Sequence, residues 1–306
     1  MGRETKDHLL HCGRVISAEE LADIQEIVAT CSGLSRSELA LTISENLGWH
    51  SASGSLKQDA CLKLLEKLEQ QGVLRLPEKL VTAGKARKPT LLTERTAAGE
   101  PLVGSVGDLG TVQVVPVTEQ EEIGLWNEYV NRYHYLGYQQ PFGCSLRYFI
   151  TSERGLLGCL LFSGAAKALR ERDFWLGWTT EERRRNLGYV INNSRFLMFP
   201  WVRVQNLASH ALGQVVRRLG ADWQQRWGYR PVVVETFVDP EYYTGTCYRA
   251  ANWLHLGQTT GTGLPRKGKS YTSSPKQIWV VPLVADFRQA LCSSEVISYE
   301  QTEPRK

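Results

Sequence analysis

The segment Glu235-Thr236-Phe237-Val238-Asp239-Pro240-Glu241-Tyr242-Tyr243-Thr244-Gly245-Thr246-Cys247-Tyr248-Arg249-Ala250-Ala251-Asn252-Trp253 runs from an apolar stretch into a polar and aromatic cluster. Residues Pro231 to Val238 are rich in β-branched side chains and read as a buried strand. Carboxylates stand at its C-terminal end, a Gly/Thr turn follows, and a short helical stretch then carries Tyr248, Asn252 and Trp253. Polar and aromatic groups crowded at a strand's C-terminal end are what a site needs and what a packed core does without. By alternation Glu235, Phe237 and Asp239 lie on one face of that strand.

Working outward, residues 111–306 read as one α/β domain. Strands are expected over 111–117, 145–151, 156–162, 192–201, 231–238, 254–260 and 277–283. Helices are expected over 119–132, 207–227 and 244–252, the second being long and amphipathic with Leu212, Val215, Val216, Leu219 and Trp223 on one side. Residues 133–138 form an aromatic loop, and 164–188 a polar, Arg-rich insertion containing Trp175 and Trp178.

Residues 1–78 read as a helical domain. Ser17 with Glu20 makes a capping box before a helix of about 18–31, Ser35 begins a second helix, and Leu56, Ala60, Leu64, Leu65 and Leu68 stripe a third. Val73 to Pro77 reads as a short strand. Three helices and an extended wing predict a winged helix-turn-helix, which lays its third helix in the DNA major groove; Lys57 opens that helix. Residues 79–110 are rich in Gly, Pro and basic side chains and read as a basic linker.

The 306 residues suffice for two domains, and 42% hydrophobic with 22% charged content is ordinary for a soluble globular protein. No apolar run approaches the roughly 18 residues of a membrane span, and the charged N-terminus lacks a secretory h-region. Seven cysteines, an odd number without a C-x-x-C pair, fit reduced thiols in a cytoplasm. The six histidines show no metal-ligand spacing. Net charge is +4, and the cations cluster: Lys85, Arg87 and Lys88 in the linker, Arg183 to Arg185 in the insertion, and Arg266, Lys267 and Lys269 in a late Gly/Pro/Ser-rich loop. Basic loops suit phosphate contacts, so DNA is the expected partner.

The element order of residues 111–306 resembles the GNAT acyltransferase fold. Arg203-Val204-Gln205-Asn206-Leu207-Ala208 stands where GNAT proteins carry an R/Q-x-x-G-x-G/A pyrophosphate turn, with Asn206 at a glycine position. Tyr248 to Trp253 stands where they carry Y-x-x-x-G-F. This resemblance implies acyl-CoA at Arg203, Asn206 and Ala208, with Tyr248 as the general acid. A more specific resemblance is carried by Tyr133-His134-Tyr135-Leu136-Gly137, Asn192-Asn193-Ser194-Arg195-Phe196-Leu197, Trp201 to His210, Glu235 to Asp239 and Gly245 to Trp253. These motifs are similar to those of the DruA family of the Druantia anti-phage defence system. That resemblance implies work on nucleic acid in defence or DNA mobility, with defence-system or transposase proteins as partners.

Three chemistries fit these residues. Acyl transfer would use Tyr248 as acid and Glu235 or Asp239 as base. Transposase- or nuclease-like strand cleavage would use a tyrosine nucleophile from Tyr242, Tyr243 and Tyr248, or Mg²⁺ held by Glu235, Asp239 and Glu241, with His134 or His210 carrying protons. A non-catalytic adaptor would grip DNA through Lys57, Lys85, Arg87, Lys88, Arg195, Arg249, Arg266 and Lys267, and stack bases on Tyr133, Tyr135, Tyr138 and Phe142. A blander reading makes Tyr248 a packed core residue and Glu235 the buried partner of Arg195 or Arg249.

Overall fold

The structure, a computed structural model, describes residues 9–31, 34–78, 90, 92–141, 144–261 and 274–293. Lys85, Arg87, Lys88, Phe142, Arg266 and Lys267 therefore lie outside the described residues. The chain divides into two compact units, Met1–Arg87 and Lys88–Lys306.

In the first unit, strands β1 (Leu9–His11) and β2 (Arg14–Ile16) pair as an antiparallel hairpin. Helices α1 (Ala18–Thr30), α2 (Arg36–Asn46) and α3 (Gln58–Gln70) follow. Ser17 with Glu20 and Ser35 with Glu38 close capping boxes on the first two. Ile24, Val28, Leu39, Ile43, Leu64, Leu65 and Leu68 form the core of this unit. The strand expected at 73–77 is not there. Its backbone groups are taken by helix side chains: Gln25 donates to the Val73 carbonyl (3.0 Å), Arg36 Nε to that of Pro77 (2.7 Å), and Leu76 N–H to Glu69 Oε1 (3.0 Å). With Val73, Leu76 and Pro77 so engaged, the segment pairs with no strand among the described residues. The hairpin precedes the helices, and among the described residues no wing follows α3.

The second unit begins earlier than the composition of 79–110 suggests. Strand β3 (Leu102–Ser105) pairs in parallel with β8 (Val202–Gln205). Thr93 and Thr96 hydrogen-bond the carboxylate of Glu128. The remaining elements are β4 (Gln113–Val117), α4 (Gln120–Tyr133), β5 (Leu146–Ser152), β6 (Gly155–Gly164), α5 (Arg170–Leu176), α6 (Thr180–Asn186), β7 (Val190–Met198), α7 (Leu207–Trp227), β9 (Val233–Val238), α8 (Thr246–Ala250), β10 (Leu254–Gln258), β11 (Gln277–Pro282) and α9 (Phe287–Leu291). Among the described residues the main sheet has the order β10-β11-β9-β7-β6-β5-β4. Every neighbouring pair is antiparallel except β7 with β9. The succession strand, helix, hairpin, strand, long helix, strand, short helix, strand is the one expected of a GNAT-like α/β domain. Helix α7 buries Leu212, Val215, Leu219 and Trp223, while Gln214 and Arg218 on it donate to the carbonyls of Val112 and Val114 at β4.

The β7–β9 pair positions the site. Its register covers only Val190↔Val233, Ile191↔Val234 and Asn192↔Glu235. Just beyond, β7 carries a bulge: Asn193 and Arg195 face consecutive residues of β6, Phe162 and Leu161, which leaves Ser194 over. A bulge bends its strand and sharpens the local twist. Here it turns β7 away from β9, and the two strands splay.

Candidate functional site

The amide of Asn193 holds the bulge in shape. Its Nδ2 donates to the carbonyls of Leu161 (3.1 Å) and Arg195 (3.0 Å), and its Oδ1 accepts from the Tyr248 hydroxyl at 2.8 Å. Thr236 Oγ1 donates to the Asn193 carbonyl at 2.9 Å, the last link across the strands before they part. Beyond it lies a cavity of about 370 Å³ lined by residues of both strands, of α8, of the loop after α4 and by Ala208 of α7. A volume of this order suits a small ligand or one nucleotide, pockets of such use running from about 300 Å³ upward.

The walls are apolar where Phe196, Leu197, Met198, Phe237 and Val238 face it, and polar where Asn192, Asn193, Arg195, Thr236, Asp239, Tyr248 and Lys276 do. Arg195 donates only to backbone carbonyls, those of Gly137 (3.1 Å) and Ser194 (2.6 Å), and forms no ion pair among the described residues. Its charge is therefore available to an anion. His134 also lines the cavity; burial, with the Arg195 charge adding to it, lowers its pKa to about 4. Its Nδ1 faces the Leu136 N–H at 3.2 Å, so the neutral ring carries its proton on Nε2.

The rim is aromatic. Tyr135 lies 4.8 Å from Tyr242 and 6.0 Å from Tyr243, ring centre to ring centre, and stacks on His134 at 4.9 Å. All three tyrosines are exposed. Asp239 shapes the turn that presents Tyr242 and Tyr243: its carbonyl accepts from Tyr242 N–H (3.1 Å) and Tyr243 N–H (2.9 Å), its Oδ1 from Glu241 N–H (3.1 Å), and its Oδ2 from Ser274 Oγ (3.0 Å). Gly245 then starts α8 at φ +74°, and a Cβ there would meet the Trp279 ring at 2.8 Å. Only glycine meets both demands.

The sequence candidates separate in space. Tyr248, Asp239, Tyr243 and Arg195 gather at the cavity, and Ala208 joins them. Tyr248 is buried, and burial raises its pKa, so it is a hydrogen-bond donor at the cavity wall while Tyr242 and Tyr243 stand at the rim. Glu235 does not line the cavity. It is fully buried, with Oε2 on Arg172 Nη1 (2.8 Å) and Oε1 on the Ala166 N–H (2.7 Å). Burial pushes its pKa up against the pull of Arg172. Its partner is thus Arg172, and neither Arg195 nor Arg249. With both oxygens engaged it is placed neither as a base nor as a metal ligand. Among the described residues no three of His, Cys, Asp and Glu converge to hold a metal ion, so Glu235, Asp239 and Glu241 do not assemble the expected Mg²⁺ set.

His210 lies elsewhere, in a wider hollow of about 720 Å³ lined also by Asn206, Ser209 and Arg217. Asn206 takes φ +63° as the N-cap of α7, the left-handed geometry that its glycine-like position requires. Arg203 is exposed on β8 and lines neither hollow. Arg249 sits over the Trp279 ring at 5.7 Å. Lys57 is half-buried, and burial lowers its pKa.

Sequence reasoning assigned no role to Asn192, Asn193, Thr236, Lys276 or Arg172. One signal was available: asparagine is depleted in strands, and here two stand together in a central one.

The family described as Druantia protein DruA matches residues 67–267 of this chain. The chain belongs to the DruA family. No curated protein matches it. Solved structures that align with this DruA member include acetyltransferases. An aminoglycoside acetyltransferase in complex with coenzyme A and kanamycin is 15% identical, over 56% of this chain and 95% of that one, at a TM-score of 0.35. The polyamine N-acetyltransferase of Drosophila melanogaster is 11% identical, over 56% and 100%, at 0.35. RimL, a ribosomal L7/L12 α-N-protein acetyltransferase in complex with coenzyme A, is 14% identical, over 54% and 74%, at 0.29. The GNAT-like description of the second unit accordingly rests on its own strand order and splay. No helix among the described residues is long and apolar enough to cross a membrane.

Proposed function

We propose that this DruA-family protein acts on DNA and that the cleft between β7 and β9 receives one unpaired nucleotide. The observation that carries this is the cavity at the splay, with the exposed rings of Tyr135, Tyr242 and Tyr243 clustered as a ledge at its rim. Aromatic faces bind unpaired bases, each worth about 1–3 kcal/mol, and enzymes that work on a base take it out of the stack into such a pocket. Arg195 and Lys276 supply positive charge at the same cavity for a phosphate. In the first unit, Lys63 and Lys67 on α3 would add phosphate contacts, in keeping with a helix-turn-helix use of α2 and α3. A place in phage defence or DNA mobility, with partner proteins in the cytoplasm, follows from the family resemblance. All seven cysteines are free thiols, which supports a reducing compartment. If the protein cuts strands through a tyrosine, Tyr243 is better placed than Tyr248, because burial opposes ionisation of Tyr248.

One observation favours a second reading, acyl-CoA in the same cleft: Ala208 in the first turn of α7 lines the cavity, which brings a helix N-terminus to it. Thermal unfolding of the full chain distinguishes the two. A short single-stranded oligonucleotide should raise the midpoint by a few degrees at about 100 times its dissociation constant, and acetyl-CoA should not. A shift with acetyl-CoA alone would transfer the cleft to acyl transfer, and no shift with either would remove both readings.

A further inference from the structure

Around the cleft the acceptors are largely engaged and the donors stand open. Each oxygen of Asp239 accepts from a neighbour, and Asn193 Oδ1 accepts from Tyr248. Arg195 gives Nε and Nη1 to backbone carbonyls and leaves Nη2 without a partner among the described residues. His134 turns Nδ1 to the Leu136 N–H and keeps its proton on Nε2. Lys276 bonds only through its backbone, so its ammonium has no partner among the described residues either. All three residues line the cavity, and none of the three nitrogens is a buried one. Two of them carry full charges, and Asp239 is the one carboxylate on the same lining.

A ligand that suits such a wall brings acceptors and negative charge. The hydrogen-bonding edges of bases mix donors with acceptors, so a base pressed against these nitrogens sets donor against donor. A phosphate brings acceptor oxygens to all of them. The apolar walls of Phe196, Leu197, Met198, Phe237 and Val238 strengthen the attraction by keeping the local dielectric low. Size then separates two kinds of phosphate. An internal phosphodiester carries a sugar on each side and a single charge, whereas a cavity of about 370 Å³ suits one nucleotide. A terminal phosphate has one sugar behind it, presents three free oxygens and carries about two negative charges. Those features match three open donors, two of them cationic.

We propose that the cleft selects the end of a strand: it takes a terminal nucleotide phosphate first, with the phosphate on Arg195, Lys276 and His134 and the base left on the ledge of Tyr135, Tyr242 and Tyr243. This rests on the reading of the cleft as a nucleotide site and adds which nucleotide of a strand the site takes and in which orientation. The base on the ledge is held by its face, so the site is indifferent to which base stands at the end.

The test uses the full chain and labelled single strands of one sequence: with hydroxyl groups at both ends, with a phosphate on the first nucleotide, with a phosphate on the last, and closed into a circle. A hydroxyl-ended strand one nucleotide longer adds a backbone phosphate and controls for charge alone. One of the two phosphorylated strands should bind about ten- to a hundredfold more tightly than the circle and both hydroxyl-ended strands. Lys276→Gln removes an ammonium that no described residue holds, so the fold should stand, and that ratio should fall about tenfold. Arg195→Gln should lower it in the same way. An unchanged ratio in Lys276→Gln would overturn the proposal. So would a circle or a lengthened strand that binds as tightly as the phosphorylated ones, which would leave the nucleotide reading intact. A wild type that binds no strand removes both.

Discussion

The Tyr248 hydroxyl donates to Asn193 Oδ1 at 2.8 Å across 55 positions of sequence, joining α8 to the bulge that opens the cleft. The same asparagine spans the bulge with its other end. One side chain thus sets both the shape of β7 and the position of the tyrosine.

Replacing Tyr248 by Phe keeps the ring and removes the donor. Asn193 Oδ1 is then buried and unpaired, a loss of about 1–3 kcal/mol in urea-denaturation stability. A variant as stable as wild type would show that Oδ1 finds another donor and that Tyr248 does not hold the bulge.

Arg172 and Glu235 are both fully buried and bonded at 2.8 Å. Arg172→Met alone should cost about 3–5 kcal/mol, because it strands a buried carboxylate. Adding Glu235→Leu should recover most of that loss. Additive losses in the double-mutant cycle would mean that the two side chains are not coupled.

Gly245→Ala and Gly228→Ala separate backbone strain from collision. Both positions have positive φ, +74° and +79°, but only at Gly245 would a Cβ meet a ring, that of Trp279. Gly228→Ala should cost about 1 kcal/mol for the left-handed backbone. Gly245→Ala should cost clearly more and perturb tryptophan fluorescence through Trp279. Equal losses would show that the ring moves aside freely.

His134 has a folded-state pKa near 4, against an ordinary histidine value of 6.5. Between those values the unfolded chain binds the extra proton and the folded chain does not, so stability is lost as pH falls from about 6.5 toward 4. His134→Gln should flatten that part of the midpoint-versus-pH curve. His11 in the first unit is shifted the same way, so some slope remains. An unchanged slope in the variant would place His134 in water.

The ledge is tested by Tyr242→Ala with Tyr243→Ala. Both side chains are exposed, so stability should hold within about 0.5 kcal/mol, while affinity for a single strand falls tenfold or more. Unchanged affinity in a gel-shift titration would move the strand off this rim.

Much of the fold was legible before any coordinates. Helix α7 spans the bounds that its apolar period indicates, with Asn206 and Gly228, both left-handed, closing its ends. Ser17, with its capping box, and Ser35 start their helices as expected. The strand at 73–77 misled because a short apolar run also fits a segment pinned to neighbouring helices by side chains. Half of the site was legible too: the turn from Asp239 through Tyr243 to Tyr248 does line the cavity. Glu235, on the same strand and in the same motif, does not.

Periodicity, capping and turn chemistry act over a few neighbouring residues, so the sequence alone carried the positions of the helices and most strands, and the gathering of candidate residues at the end of β9. Partnership across long separations is set by packing, and no local pattern encodes it. Glu235 could have met Arg195, Arg249 or a metal; it meets Arg172, 63 positions away, because the chain between β6 and β7 carries Arg172 on α5 to it. Tyr248 and His210 could have shared a site, yet they line separate hollows. The buried Oδ1 of Asn192, without a hydrogen-bond donor among the described residues, belongs to the same class of fact, since a lone acceptor shows only once the donors around it are placed.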